Sequence, residues 1–356
     1  MRAVIHTETG GPEVLRVVER DVPQPGPGQV RVRVVVSGVN PTDWKARRGG
    51  GPGQAPPFPQ VVPNQDGAGV VDAVGEGVEG LAPGQRVWLW EAAFRRAEGT
   101  AQEYVVLPAR QAVPLPAGAS FEVGASLGIP ALTAHRCLTV ADGGPDRLAP
   151  GALAGRTVLV AGGAGAVGHA AIQLARWAGA TVVTTVSGPA KGDLARAAGA
   201  GHVVDYRQHD AAAAIRAVAP GGVHHVVEVA PSANAALDAA VVAADATVAI
   251  YADDGGGAFS LRVRDHLSIN TRFQFVLVYT VPAAAKRAAV EDVSAALAAG
   301  ALPVGEEHGL PLHRFSLERT GEAHAAVEAG VTGKVLVDVD VDAERSALNG
   351  RAPGDV

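Results

Sequence analysis

Residues 157–187 read TVLVAGGAGAVGHAAIQLARWAGATVVTTVS: an apolar strand, a glycine-rich turn, an amphipathic helix and a second apolar strand. That order is the sequence form of a nucleotide-binding unit. Gly163, Gly165 and Gly168 supply G-x-G-x-x-G where the strand hands over to the helix. In this pattern the first glycine makes the tight turn, the second lets a pyrophosphate approach the backbone, and the third lets helix and strand pack closely. Unpaired N–H groups at the helix start face the phosphates, so Ala166 and Val167 join the three glycines as pyrophosphate-binding candidates.

The end of the second strand decides which dinucleotide is held. An NAD site places Asp or Glu there to accept bonds from the ribose 2'-hydroxyl. This chain places Ser187, followed four residues later by Lys191. A carboxylate would repel a 2'-phosphate, whereas a hydroxyl and an ammonium offer a donor and a compensating charge. The expectation is NADP(H), with Tyr206 of the VVDYR stretch covering the adenosine side.

Composition bounds the rest. The 356 residues, 47% apolar and 19% charged, suffice for two domains with their own cores. A formal charge of −6 without a basic run argues against nucleic acid as a partner. No apolar stretch approaches a membrane span and no leader pattern opens the chain, so the expected location is the cytoplasm. The single cysteine, Cys137, excludes an internal disulfide and reads as a small buried hydrophobe in a helix.

Before the nucleotide unit the chain consists of short β-runs cut by Gly and Pro, over 30–37, 69–74, 86–90 and 103–107. The Gly- and Pro-rich stretch 49–63 reads as a long loop of the kind that borders an active site. After Thr157 strands and alanine-rich helices alternate, with strands at 202–206, 224–229 and 246–251. One helix follows the N-cap Asp210, and another begins at Ser232. The pattern predicts a doubly wound parallel sheet of Rossmann type plus a β-rich domain. The apolar run Phe273–Tyr279 is expected to lie on the sheet edge and to join two copies into a homodimer. A helix from about Pro282 to Ala299 and a strand after Gly333 follow, the latter returning to the first domain.

Taken together, these features resemble the medium-chain dehydrogenase/reductase superfamily, and within it the zinc-free quinone oxidoreductases of the zeta-crystallin type. The resemblance rests on Gly38-Val39-Asn40-Pro41-Thr42-Asp43-Trp44-Lys45, Asp66-Gly67-Ala68-Gly69-Val70-Val71, Gly84-Gln85-Arg86-Val87, Gly99-Thr100-Ala101-Gln102-Glu103-Tyr104 and Ala131-Leu132-Thr133-Ala134. It implies a GroES-like catalytic domain of residues 1–128 with 292–341, a Rossmann domain of residues 129–291, and a frayed tail at 342–356. In the zinc alcohol dehydrogenases of this superfamily a metal-binding cysteine stands at the position of Asn40. Gly-His-Glu stands there in place of Asn64-Gln65-Asp66, so no metal is implied here.

The resemblance also implies NADPH as cofactor and a quinone as small-molecule acceptor. Conjugated acceptors spread incoming charge and so need less help from a Lewis acid than a simple ketone does. Reduction of the C=C bond of enones, enals or acrylyl compounds shares every motif, and a non-catalytic NADPH-binding role is the reading from another class. Asn40, Lys45 and Tyr279 are the catalytic candidates, with Trp44 and Trp90 walling the pocket. Thr133 is expected on the nicotinamide side. Ala230, Tyr251 and Ala252 fall at carboxyl ends of strands, where ligands collect in such sheets. Adjacent His224 and His225 point to opposite faces of a strand and cannot chelate one ion. His308 and His313 straddle Pro311 without a metal-binding context.

Overall fold

A computed structural model describes residues 1–208, 210–253 and 257–340; the tail expected at 342–356 lies outside them. The first strands are β1 (Arg2–Ile5) and β2 (Arg16–Glu19), which pair with each other. Then come β3 (Gln29–Val39), helix α1 (Pro41–Arg48), β4 (Asp66–Val74), β5 (Arg86–Leu89), β6 (Tyr104–Pro108), β7 (Ala112–Pro114) and helix α2 (Phe121–Leu138). Along the first half of β3, Val30, Val32 and Val34 point into the core while Arg31 and Arg33 alternate with them at its edge. The long loop after α1 reaches Val61 before it bridges back to His6.

Alternation of strand and helix begins with β8 (Thr157–Ala161), α3 (Ala166–Trp177), β9 (Thr181–Val186), α4 (Pro189–Ala197), β10 (His202–Asp205) and α5 (Ala211–Val218). It continues through β11 (Val223–Glu228), α6 (Pro231–Val241), β12 (Val242–Ile250), the short α7 (Val263–Leu267), β13 (Arg272–Phe275) and α8 (Ala283–Ala298). The last elements among the described residues are β14 (Leu312–Ser316), α9 (Thr320–Glu328) and β15 (Lys334–Asp338). Asp210 caps α5, its Oδ1 accepting the Ala213 N–H at 3.1 Å.

The chain divides into two compact units, Met1–Ile129 with the stretch from Leu312 onward, and Pro130–Pro311. In the first, a mostly antiparallel sheet runs β14-β15-β3-β4-β5-β7, with β6 also pairing to β3. Strand β15 lies antiparallel to the second half of β3, Val335 opposite Val39. In the second, all six strands are parallel in the order β10-β9-β8-β11-β12-β13. The order reverses between β8 and β11, and a crevice at the strands' carboxyl ends is the expected ligand position.

Residues 292–311, read from sequence as part of the first domain, sit instead with the second unit. Buried Asp292 of α8 ties them there, taking bonds from His135 Nε2 at 2.8 Å, Leu148 N–H at 2.7 Å and Arg147 Nε at 2.8 Å. The run 273–279 is also shorter as a strand than its composition suggests. It leaves the sheet where its neighbour β12 ends: Val276 N–H takes the carbonyl of Ile250, the last residue of β12, at 2.8 Å. Val278–Thr280 then forms a 3-10 turn. The strand Arg272–Phe275 does lie on the edge of the sheet. Among the described residues no helix is long and apolar enough to cross a membrane.

Candidate functional site

In the second unit the glycine-rich turn between β8 and α3 is shaped by what a side chain would strike. A Cβ at Gly163 would collide with the hydroxyl of Thr184 on β9, and one at Gly168 with the carbonyl of Gly162. At Gly165, the exposed N-cap of α3, a Cβ would meet nothing nearer than Gly162 O at 3.5 Å. Two glycines therefore let strands and helix approach, and the middle one leaves the helix start open. The left-handed residue of the turn is Gly162, with φ 69°, not Gly163 as the motif alone suggests. The first N–H groups of α3, at Ala166, Val167 and Gly168, lie beyond reach of intrahelical partners and fit a pyrophosphate.

Strand β9 delivers half-buried Ser187 to the same end of the sheet, and exposed Lys191 follows in the first turn of α4. Tyr206 follows directly on the neighbouring strand β10, its N–H donating to the Val186 carbonyl at 3.2 Å and its side chain exposed. Arg207, also exposed, comes next; it is a second cation at this corner that the sequence reading passed over although it stands in VVDYR. These residues put a hydroxyl, two cations and an aromatic ring where the adenosine half of a dinucleotide would lie in a sheet of this topology.

Pro231, Tyr251 and Ala252 line a cavity of about 520 Å³ where β11, β12 and β13 end. Ala230 caps α6 beside it, held by the carboxylate of fully buried Glu228, which also takes Asn234 Nδ2 at 3.0 Å. Burial pushes Asp238, behind Glu228, up to about 8, so these two carboxyls share fewer than two charges at neutral pH. Sequence reading missed Glu228, the last residue of β11, because attention in that strand went to the adjacent His224 and His225. Thr133 lies buried on α2. Tyr279 is buried in the 3-10 turn, its carbonyl taking Lys286 Nζ at 2.7 Å, and it is not on the cavity wall.

In the first unit Asn40 belongs to a buried polar set. Its Nδ2 donates to Asp66 Oδ2 at 2.6 Å, and its Oδ1 accepts from Lys334 Nζ at 2.7 Å. Its backbone N–H donates to Asp43 Oδ2 at 2.7 Å, closing the first turn of α1. Lys334 also pairs with Asp66 at 3.4 Å. Glycine and proline on α2 make room: a Cβ at Gly128 would strike the Asp66 carboxylate, and Ile129, freed from the helix ladder beside Pro130, donates its N–H to Asp66 Oδ1 at 2.8 Å. One buried lysine faces two buried carboxyls. Burial, reinforced by Asp66, pushes Asp43 up to about 8, and burial also raises Asp66 and lowers Lys334. With Lys334 Nζ at 3.4 Å and N–H donors from Asn40 and Ile129, Asp66 is the carboxyl placed to carry the charge.

This has a consequence for stability. Between about 4, where the unfolded carboxyl ionises, and about 8, where the folded one does, the folded state holds a proton that the unfolded chain has released, so stability falls as pH rises. Asp43→Asn mimics the protonated form at every pH. The stability difference between variant and wild type should therefore shift toward the variant between pH 5.5 and 8, by up to ~1.4 kcal/mol per unit. Urea unfolding of both proteins across that range measures it, and parallel curves would contradict a neutral Asp43.

Above this set lies a cavity of about 380 Å³. Helix α1 presents Asp43, Ala46 and Arg47 to it, the i, i+3, i+4 face. Trp44 and Lys45, chosen from sequence, are not on this wall; Lys45 Nζ lies 5.7 Å from the Trp44 ring centroid, with Arg48 equally far. Trp90 is buried just past β5, where its carbonyl takes Gln111 Nε2 at 3.1 Å, and it too is absent from the wall. Helical spacing applied from the N-cap Asn40 would have found Asp43 and Arg47. Asn64, with φ 78°, forms part of the floor and is fixed by Ser37 Oγ at 2.9 Å and by His324 Nε2 at 2.8 Å. Because Asn64 Oδ1 can only accept, His324 donates from Nε2; burial and nearby Arg47 lower it to about 3, so it is neutral.

A zinc ion does not suit these residues. Asn40 and Gln65 offer neutral amides, and the one carboxylate among them, Asp66, already faces the ammonium of Lys334. Among the described residues no group of three His, Cys, Asp or Glu side chains is placed to hold a metal.

Residues 26–117 match the alcohol dehydrogenase GroES-like domain family, and residues 166–296 the family described as zinc-binding dehydrogenase. A crystal structure of an NAD-dependent alcohol dehydrogenase superposes with a TM-score of 0.82 at 30% identity, over 96% of this chain and 100% of that one. The chain belongs to the medium-chain dehydrogenase/reductase superfamily of oxidoreductases. More particularly, it is similar to human quinone oxidoreductase, 28% identical over 95% of this chain and 97% of that protein. It is also 35% identical to the rat synaptic vesicle membrane protein VAT-1 homolog, over 64% of this chain and 53% of that protein, so the match spans about half of that relative's length. A mycobacterial structure complexed with NADPH aligns at 29% identity and a TM-score of 0.77 over 95% of this chain and 99% of that one.

Proposed function

We propose that this chain is an NADPH-dependent, metal-independent oxidoreductase that reduces quinones. The observation that carries the reading is the corner formed by the ends of β9 and β10, where Ser187, Lys191, Tyr206 and Arg207 stand and the first strand carries no terminal carboxylate. Gly165 and the start of α3 would hold the pyrophosphate, and the cavity lined by Tyr251 and Ala252 the end toward the nicotinamide. Bound there, NADPH supplies a hydride; with one proton from water it converts quinone to hydroquinone. The cavity of the first unit, partly apolar and floored by Asn64 and Gln65, is the proposed acceptor pocket, with Asn40 setting its floor from beneath rather than touching the acceptor.

The likeness to human quinone oxidoreductase supports the acceptor class, and the mycobacterial complex supports the phosphorylated cofactor, against the NAD-dependent relative. Edge strand β13, ending in exposed Phe275 and followed by exposed Leu277, 64% and 55% accessible, supports a homodimer. Titration should show NADPH bound at least about tenfold more tightly than NADH, the order expected of one charge-assisted contact. Ser187→Asp should reverse that order by placing a carboxylate against the 2'-phosphate. Tighter binding of NADH by the wild type would overturn the cofactor reading. A panel of quinones and enones with product identification separates carbonyl from C=C reduction.

A further inference from the structure

The acceptor cavity of the first unit is walled by three arginines. Arg47, 1% exposed, lends one nitrogen to Glu328 at 2.7 Å, and its Nε and Nη1 have no hydrogen-bond partner among the described residues. Arg95 is exposed at the rim, makes no ion pair among the described residues, and holds its guanidinium 5.2 Å from the ring centroid of Phe94. Its backbone is left-handed, φ 56°, a conformation that costs a side-chain-bearing residue energy and recurs at ligand sites. Arg96 is half-buried, with one guanidinium nitrogen spent on the carbonyls of Glu91 and Ala92.

The negative charge nearby is in part already shared: Glu328 serves both Arg47 and Arg48. Glu98 near Arg96 is gripped by both terminal nitrogens of Arg20. Asp43 is the single carboxyl on the cavity wall, and it is held in its neutral form. Burial, with a smaller contribution from neighbouring Arg110, lowers Arg96 to about 10 against the opposing pull of Glu91 and Glu98, and the guanidinium stays charged at neutral pH. Between the arginines the wall is apolar, with Pro57, Phe58 and Val61 among its residues. Excess positive charge around an apolar slot of this volume suits a single conjugated ring that carries an oxyanion.

We infer that the natural acceptor is a conjugated carbonyl compound bearing a carboxylate or similar oxyanion, which Arg95 and Arg96 hold at the mouth of the cavity. The inference rests on the reading of this cavity as the acceptor pocket. The chemistry balances as before: NADPH gives up a hydride and becomes NADP⁺. An enone takes the hydride at its β-carbon and a proton from water at its α-carbon; a quinone takes hydride and proton to give hydroquinone.

Matched pairs test it, because remote ionisation leaves the reacting group's intrinsic reactivity nearly unchanged. Carboxymethyl-1,4-benzoquinone and its methyl ester form the quinone arm, and 4-(3-oxobut-1-enyl)benzoate and its methyl ester the enone arm. In at least one arm kcat/KM for the acid should exceed that for the ester by about tenfold, the size of one charge-assisted hydrogen bond at a partly exposed site. The ratio should fall as salt rises. Arg95→Gln should bring it toward one and Arg95→Glu below one. An acid no better than its ester in the wild type, or a ratio that Arg95→Glu does not move, would overturn the inference while leaving the reductase reading intact. If neither compound is reduced, the reductase reading fails. Calorimetry with the saturated acid and its ester then decides the anion preference alone, tighter binding of the acid supporting it and equal binding refuting it.

Discussion

Alanine at Gly168 is expected to cut dinucleotide affinity by roughly a hundredfold, ~2.7 kcal/mol, and to lower the melting temperature as well. Its Cβ would meet the carbonyl of Gly162 and lie 2.9 Å from the Cα of Gly163, so backbone, rather than a mobile side-chain tip, has to give way. Movement there opens the contact between α3 and β8 and displaces the N–H groups proposed to face the pyrophosphate. Alanine at Gly165 separates folding from binding. That position is exposed, with only Gly162 O at 3.5 Å from the added carbon, and its φ of −83° suits any residue. The variant should melt with the wild type yet bind NADPH about tenfold more weakly, because the methyl group occupies space meant for the phosphates. Calorimetric titration and thermal melts of both variants measure the two effects. Unchanged binding by Gly165→Ala would remove the phosphates from this turn.

The second unit was legible because its information is local. A strand, three glycines and a helix within 31 residues carry their own geometry, and parallel strands buried on both faces betray themselves as apolar runs. The left-handed turn slipped one residue, to Gly162, because several adjacent glycines can serve it and the motif does not rank them. Strand 273–279 was read too long for a different reason: apolar composition shows that a segment is wanted in or against the core, not where its hydrogen-bonded neighbour stops.

The first unit hid more. Asn40 was visible as the residue at the head of α1, but its partners are 26 and 294 positions away, at Asp66 and Lys334, and nothing in either local pattern announces the meeting. Lys334 read as an ordinary residue at the start of a terminal strand. Trp44 and Lys45 were chosen by their position after Asn40 in the resembled family, whereas the period of the helix turns Asp43 and Arg47 to the cavity. A cavity formed by the loop 49–63, α1 and the segment around Ala93, with Arg95 and Arg96 among its residues, is not a property of any one of those stretches.

Removing the charge of Lys334 should be among the most destabilising single changes in the first unit, costing about 3–5 kcal/mol. The side chain is 1% exposed and its stem packs 3.1 Å from where a Cβ at Gly38 would sit, so no water can reach Asp66 in its place. Lys334→Met keeps the stem and deletes the ammonium. Asp66 then keeps its bonds from Asn40 Nδ2 and Ile129 N–H but loses its counter-charge, and Asn40 Oδ1 loses its donor. The remaining escape is protonation, which burial already favours for Asp66. The double variant Lys334→Met with Asp66→Asn removes both charges while preserving the shape of the pair. It should recover most of the loss, since a buried ion pair contributes little net stability once both partners are absent. Unfolding in urea of the wild type, both single variants and the double variant gives the coupling directly. A Lys334→Met protein within 1 kcal/mol of the wild type would mean that Asp66 is neutral already. In that case Asp66 and Lys334 meet as a neutral pair, and the buried ion pair beside Asn40 would have to be given up.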